Sequence, residues 1–152
     1  MPSRIDVRIQ QEIEQLYSQY AYAVDELDTE MLADCYLDHA TFRCSISDAG
    51  SQHGRDAIVA RQVYRHDQER FREKHQITNV VVLEADADEA RCYAAAAIFA
   101  TRRGETHLEA TGHYEDELRR DDDGSWRFAR RAFVADHIAP DITVPTAMAP
   151  AT

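Results

Sequence analysis

The chain reads as an α+β protein in which a curved antiparallel or mixed sheet wraps around three N-terminal helices and leaves an apolar pocket between the layers. Three observations predict this class. Apolar residues in the first half recur at spacings of three and four, the period of helices packed on one side. The second half is a series of β-rich runs separated by short polar turns, the pattern of an antiparallel meander. A length of 152 residues holds one ordinary core but not two.

Each element follows in order. Ile5, Ile9, Ile13, Leu16, Tyr17, Tyr20 and Val24 form one apolar stripe with Glu and Gln between them, which predicts a helix over about residues 3–25. Asp28 follows a break and caps a short second helix ending near Tyr36. Phe42, Cys44 and Ile46 alternate, giving a strand over residues 40–46, and residues 48–51 supply turn chemistry. Asp56 caps a third helix carrying Ile58, Val59, Val63, Tyr64 and Phe71. Strands are then expected over residues 77–83, 91–101, 106–120 and 126–134. The domain spans residues 1–139. Residues 140–152, rich in Pro, Ala and Thr, read as a lid or a disordered tail.

Charge and composition narrow the partners. With 28 acidic and 17 basic side chains the net charge is −11, which repels phosphate backbones and anionic lipid heads. Nucleic acid and membrane are therefore not expected as partners. Cys35, Cys44 and Cys92 are odd in number, far apart and lack metal-ligand spacing, so they read as buried thiols in a reducing, cytoplasmic compartment. The carboxylates of residues 86–89 and 121–123 fall at hairpin tips without the spacing of a calcium loop, so no metal site is expected.

Chemistry points to a histidine and an aspartate. His75 precedes Ile77 by two residues, so the two share a face of their strand, the face turned to the core. Asp25 ends the first helix at the edge of its apolar stripe. A carboxylate that holds the imidazole Nδ1–H leaves Nε2 to take a proton from a substrate carbon. No serine or cysteine lies in a nucleophile-elbow setting, so elimination or isomerisation is the expected reaction class rather than acyl transfer. Spacing alone does not join His75 to Asp25, and each has an ordinary structural role open to it.

A family resemblance joins them. Tyr17, Tyr20 and Val24-Asp25, then Asp38-His39-Ala40-Thr41-Phe42, Gly54-Arg55-Asp56-Ala57-Ile58, His75-Gln76-Ile77-Thr78-Asn79, Gly112-His113-Tyr114 and Gly124-Ser125-Trp126-Arg127-Phe128 resemble the SnoaL-like branch of the NTF2-like superfamily. The similarity is greatest to the group of scytalone dehydratase, bile-acid 7α-dehydratase and hexachlorocyclohexane dehydrochlorinase. It implies a cone-shaped fold, an Asp25–His75 dyad, and no cofactor. It further implies that Tyr20 and Arg131 assist catalysis and that Phe42, His113 and Tyr17 contact substrate, whereas Arg127 and Arg130 are expected in solvent. Glu73 stands where the dehydrochlorinase has a cysteine, which argues against dehalogenation. The expected activity is a dehydratase-type lyase acting on a hydrophobic cyclic molecule. An isomerase or cyclase, or a binding module like the β subunit of a ring-hydroxylating dioxygenase, are the alternatives the resemblance leaves open. It also implies a homodimer or homotrimer.

Overall fold

A computed structural model describes residues 4–46, 50–68 and 72–140. Three helices, α1 (Val7–Glu26), α2 (Thr29–Asp34) and α3 (Arg55–Gln68), accompany six strands: β1 (Tyr36–Cys44), β2 (Ser51–His53), β3 (Arg72–Ala85), β4 (Glu89–Arg102), β5 (Glu105–Arg120) and β6 (Trp126–Ile138). The sheet order is β2-β1-β6-β5-β4-β3. β3 to β6 form an antiparallel meander, β2 pairs antiparallel with β1, and β1 runs parallel to β6, so the sheet is mixed. The expected tail segment, beyond residue 140, lies outside the described residues.

Local chemistry sets the helix ends. The Asp6 side chain accepts from the Arg8 amide at 2.8 Å and starts α1. Leu27 ends the helix in a left-handed conformation, φ 54°, and the Asp28 N–H returns to the Ala23 carbonyl. Asp28 then caps α2 through the Met31 amide at 3.0 Å, as its sequence position predicts. The buried stripe Ile13, Leu16, Tyr17, Tyr20, Ala23 and Val24 faces the sheet. Burying each larger aliphatic member stabilises the layer contact by roughly 1.5–3 kcal/mol.

Three expectations change. Tyr36 opens β1 rather than ending α2, because the Phe128 amide donates to the Cys35 carbonyl at 2.8 Å and pulls the chain into the sheet. Ser51, expected to close the turn of residues 48–51, instead opens β2, with Thr41 opposite His53 and Arg43 opposite Ser51. Asp56 is not the cap of α3 but lies in its first turn, where its charge still favours the positive helix end, while the Ile58 amide donates to the Gly54 carbonyl at 3.1 Å.

The sheet bends where its register slips. One slip falls between Thr111 and Gly112, where a Cβ on Gly112 would stand 2.1 Å from the Val134 carbonyl oxygen. Only glycine permits this approach of β5 to β6. A second irregularity between Thr78 and Val81 contains Asn79 at φ 52°. The bent sheet and the three helices enclose a narrow cavity of about 70 Å³ that opens to solvent.

Candidate active site

The last turn of α1 and the fourth residue of β3 meet at one edge of this cavity. Asp25 accepts the His75 main-chain N–H with both carboxylate oxygens at 3.1 Å and faces the ring Nδ1 at 2.7 Å. Their side chains are 8% and 3% exposed, so solvent competes little for the bond. A carboxylate only accepts, so Nδ1 carries the hydrogen and Nε2 is the nitrogen available to a molecule in the cavity. Glu26, next to Asp25, takes Lys74 at 2.8 Å and Arg72 at 3.1 Å on the outer side. The hydrogen bond from Lys74 holds the Glu26 carboxyl below its usual range. These outer pairs flank the inner one and fix the helix end against the strand.

Tyr20 lines the cavity five residues before Asp25 on α1, edge-on to the His75 ring at 6.5 Å. Its hydroxyl shares a hydrogen bond with Tyr114, and burial keeps both phenols protonated above their ordinary range. Phe42 lines the apolar side with Val24, Leu32, Ile58, Ile98 and Phe133.

Three further residues sit elsewhere than the sequence reading places them. Arg131 points inward but is not a cavity residue: it lies under the rings of Tyr20 and Tyr114, 3.9 and 3.8 Å from their centroids. Tyr17 also lies in the core below the cavity, donating its hydroxyl to Asp116 at 2.6 Å. His113 is on the opposite face of the sheet, stacked on Tyr93 at 5.1 Å and 3.1 Å from Glu115, because Tyr114 takes the inward position and strand neighbours alternate. Arg127 is not solvated either. Its guanidinium pairs with Asp121 and Asp123 and donates to the Asp34 carbonyl.

The buried ionic group beneath the cavity has a definite electrostatic state. Burial pushes the Asp116 carboxyl up to about 6, although Arg131 at 3.5 Å and the Tyr17 hydroxyl both favour its charge. For Arg131, burial opposes the charge, while Asp116 and the surrounding phenols retain it. Burial likewise pushes the Cys35 and Cys92 thiols up to about 12, which leaves them unreactive.

The cavity also has a polar side that apolar periodicity does not reveal. Ile58, Arg61, Gln62 and Arg65 follow the helical repeat of α3, so a mostly polar stripe faces inward. Arg65 pairs with Glu73, which shares a face of β3 with His75, and Arg102 meets the buried Glu109 at 3.1 Å. Tyr36 and Tyr114 complete the lining. The i+3, i+4 and i+7 spacing of Arg61, Gln62 and Arg65 from Ile58 is the signal in the sequence that finds this stripe. At the hairpin tip, the Asp86 side chain accepts from the Asp88 and Glu89 amides, a turn-capping role.

A deep, largely apolar cavity with a few convergent polar groups defines a small-molecule-binding fold of the NTF2-like α+β cone type. The chain belongs to the SnoaL-like domain family, whose model matches residues 6–132. Among solved structures it is similar to a variant of Rv3472 from Mycobacterium tuberculosis, a protein of unknown function, at 24% identity and TM-score 0.78 over 92% of this chain and 84% of that one. A provisionally named scytalone dehydratase from Novosphingobium aromaticivorans is similar at 21% identity and TM-score 0.77, over 93% and 92%. The β subunit of a provisionally named aromatic-ring-hydroxylating dioxygenase from the same organism is similar at 18% identity and TM-score 0.73, over 92% and 97%. No curated protein matches the chain. No helix among the described residues is long and apolar enough to cross a membrane.

Proposed function

We propose that this protein is a cofactor-free lyase that eliminates water from a hydrophobic cyclic molecule. The observation that carries the reading is the 2.7 Å contact between Asp25 and His75 Nδ1, nearly closed to solvent at the edge of an apolar cavity. His75 Nε2 takes the proton from a carbon next to a carbonyl, and the C–H electron pair moves into an enolate. The enolate then re-forms the carbonyl as the hydroxyl on the β carbon departs. That hydroxyl takes the proton back from the imidazolium and leaves as water. Asp25 orients the ring and offsets its transient positive charge. Tyr20 donates toward the departing hydroxyl oxygen, and Arg131 supports it from beneath the ring without touching substrate. Exposed Val81, Leu83 and Val134 lie on the outer sheet face, and through that face the chain pairs with further copies of itself.

The test is a panel of cyclic β-hydroxy ketones incubated in deuterated buffer with wild type and His75→Ala, read by mass spectrometry. Water loss that depends on His75 supports the lyase. Deuterium uptake at one carbon without water loss makes the same dyad an isomerase, and identical behaviour of both proteins removes the catalytic role.

A further inference from the structure

Tyr20, Tyr36 and Tyr114 all line the cavity, and their hydroxyls are in different states. Those of Tyr20 and Tyr114 are bonded to each other. Tyr36 is completely buried on β1, edge-on to Tyr20 at 6.4 Å, and its hydroxyl finds no hydrogen-bond partner among the described residues. Leaving a buried hydroxyl unmatched costs its desolvation, whereas a phenylalanine would fill the same space without that penalty. Directly below, the Arg131 guanidinium lies against the rings of Tyr20 and Tyr114, and its Nε and both Nη atoms also lack a hydrogen-bond acceptor among the described residues. A buried donor without an acceptor therefore belongs to a residue of the cavity lining, backed by a buried positive charge.

We propose that the Tyr36 hydroxyl is the donor that receives the substrate's ring oxygen, so that the cavity selects cyclic compounds carrying a carbonyl or phenolic oxygen. For turnover this rests on the lyase reading: the oxygen is the one conjugated with the carbon that His75 deprotonates. Negative charge growing on that oxygen meets a fixed donor and the field of Arg131, with no reorganisation of solvent. Plain or halogenated hydrocarbon rings offer Tyr36 nothing to bind, which sets the specificity.

Equilibrium binding tests this separately from turnover. Wild type and Tyr36→Phe are titrated with 2-naphthol and with naphthalene, followed by fluorescence, and their thermal midpoints are recorded. Tyr36→Phe is expected to weaken 2-naphthol binding by about tenfold, the scale of one hydrogen bond, to leave naphthalene within about twofold, and to melt no lower than wild type. A second variant with 3-fluorotyrosine at position 36, a more acidic donor, is expected to bind 2-naphthol more tightly. Equal loss for both ligands, no loss for either, or failure of wild type to prefer 2-naphthol overturns the assignment. Naphthol binding that depends on Tyr36 without any His75-dependent turnover keeps the assignment and rejects the lyase. His75-dependent turnover with naphthol binding indifferent to Tyr36 does the reverse.

Discussion

Asp25 grips His75 twice, through the main-chain N–H and through the ring Nδ1, so one carboxylate fixes both where the residue sits and how its imidazole is turned. Position and tautomer cannot be altered separately by removing that group.

Asp25→Asn keeps an oxygen for the main-chain N–H but can present an amide N–H to the ring, which favours the wrong tautomer. Turnover is expected to fall by about 100- to 10,000-fold, the range of general acid–base catalysis, while the thermal midpoint moves by a few degrees. Steady-state kinetics beside a melting curve separates the two effects.

Arg131→Met removes a cation that is wholly enclosed by aromatic rings and leaves Asp116 without its counter-charge. Loss of one partner of a buried pair costs about 3–5 kcal/mol, moderated here because Asp116 then takes up a proton. Chemical denaturation at pH 7 is the measurement. Arg131→Lys is expected to recover little, since a point charge does not stack on the rings.

Stability depends on pH through Asp116, whose folded carboxyl titrates at about 6, above the ordinary value of 3.8. Between these values the unfolded chain has already released the proton that the folded chain retains, so rising pH draws the equilibrium toward unfolding. This contribution is fully present below about pH 4 and is lost by about pH 6, a change on the order of 3 kcal/mol. Denaturation midpoints of wild type compared with Asp116→Asn from pH 4 to 7 should show wild type losing ground across that window. A flat difference between the two proteins would count against it.

Gly112→Ala places a Cβ against the Val134 carbonyl, which belongs to the backbone and has no alternative rotamer. A loss of about 3 kcal/mol or more is expected, at the upper end of overpacking, together with a smaller cavity as β5 and β6 are forced apart. Melting curves and naphthol titration report the two consequences. Gly124→Ala meets no neighbouring atom and is strained only by its φ of 81°, so its effect should be smaller.

The helices, the long meander and the places of Asp25, His75 and Phe42 are legible in the sequence because each rests on local period or on a motif carried within one element. Arg131 is legible as facing inward only through the resemblance. Alternation from Trp126 and Phe128 would turn Arg130 inward instead, but an irregularity between Phe128 and Arg130 shifts the phase, and the rings of Tyr20 and Tyr114 lie between the Arg131 guanidinium and the cavity. His113 fails for the opposite reason: in a strand, one step along a motif exchanges the two faces. The stripe of Arg61, Gln62 and Arg65 escapes an apolar count because the inward face of α3 is charged where it meets Glu73. Tyr36 changes from helix to strand through a pairing with β6, almost a hundred residues away, that no local pattern encodes.

The placement of β6 between β1 and β5 also constrains how the chain reaches its native state. β1 and β2 are made early, yet their ladder joins the meander only through a strand that begins at Trp126. Until that strand is synthesised, the β1–β2 pair has no ladder to join, although α3 already packs on it and α1 packs on β3. Such late, long-range closure slows folding and leaves an unpaired β1 edge exposed to other nascent chains in the meantime. The same event delivers Phe128 and Arg131 beneath the tyrosines, so the floor of the cavity is the last part of the molecule to assemble.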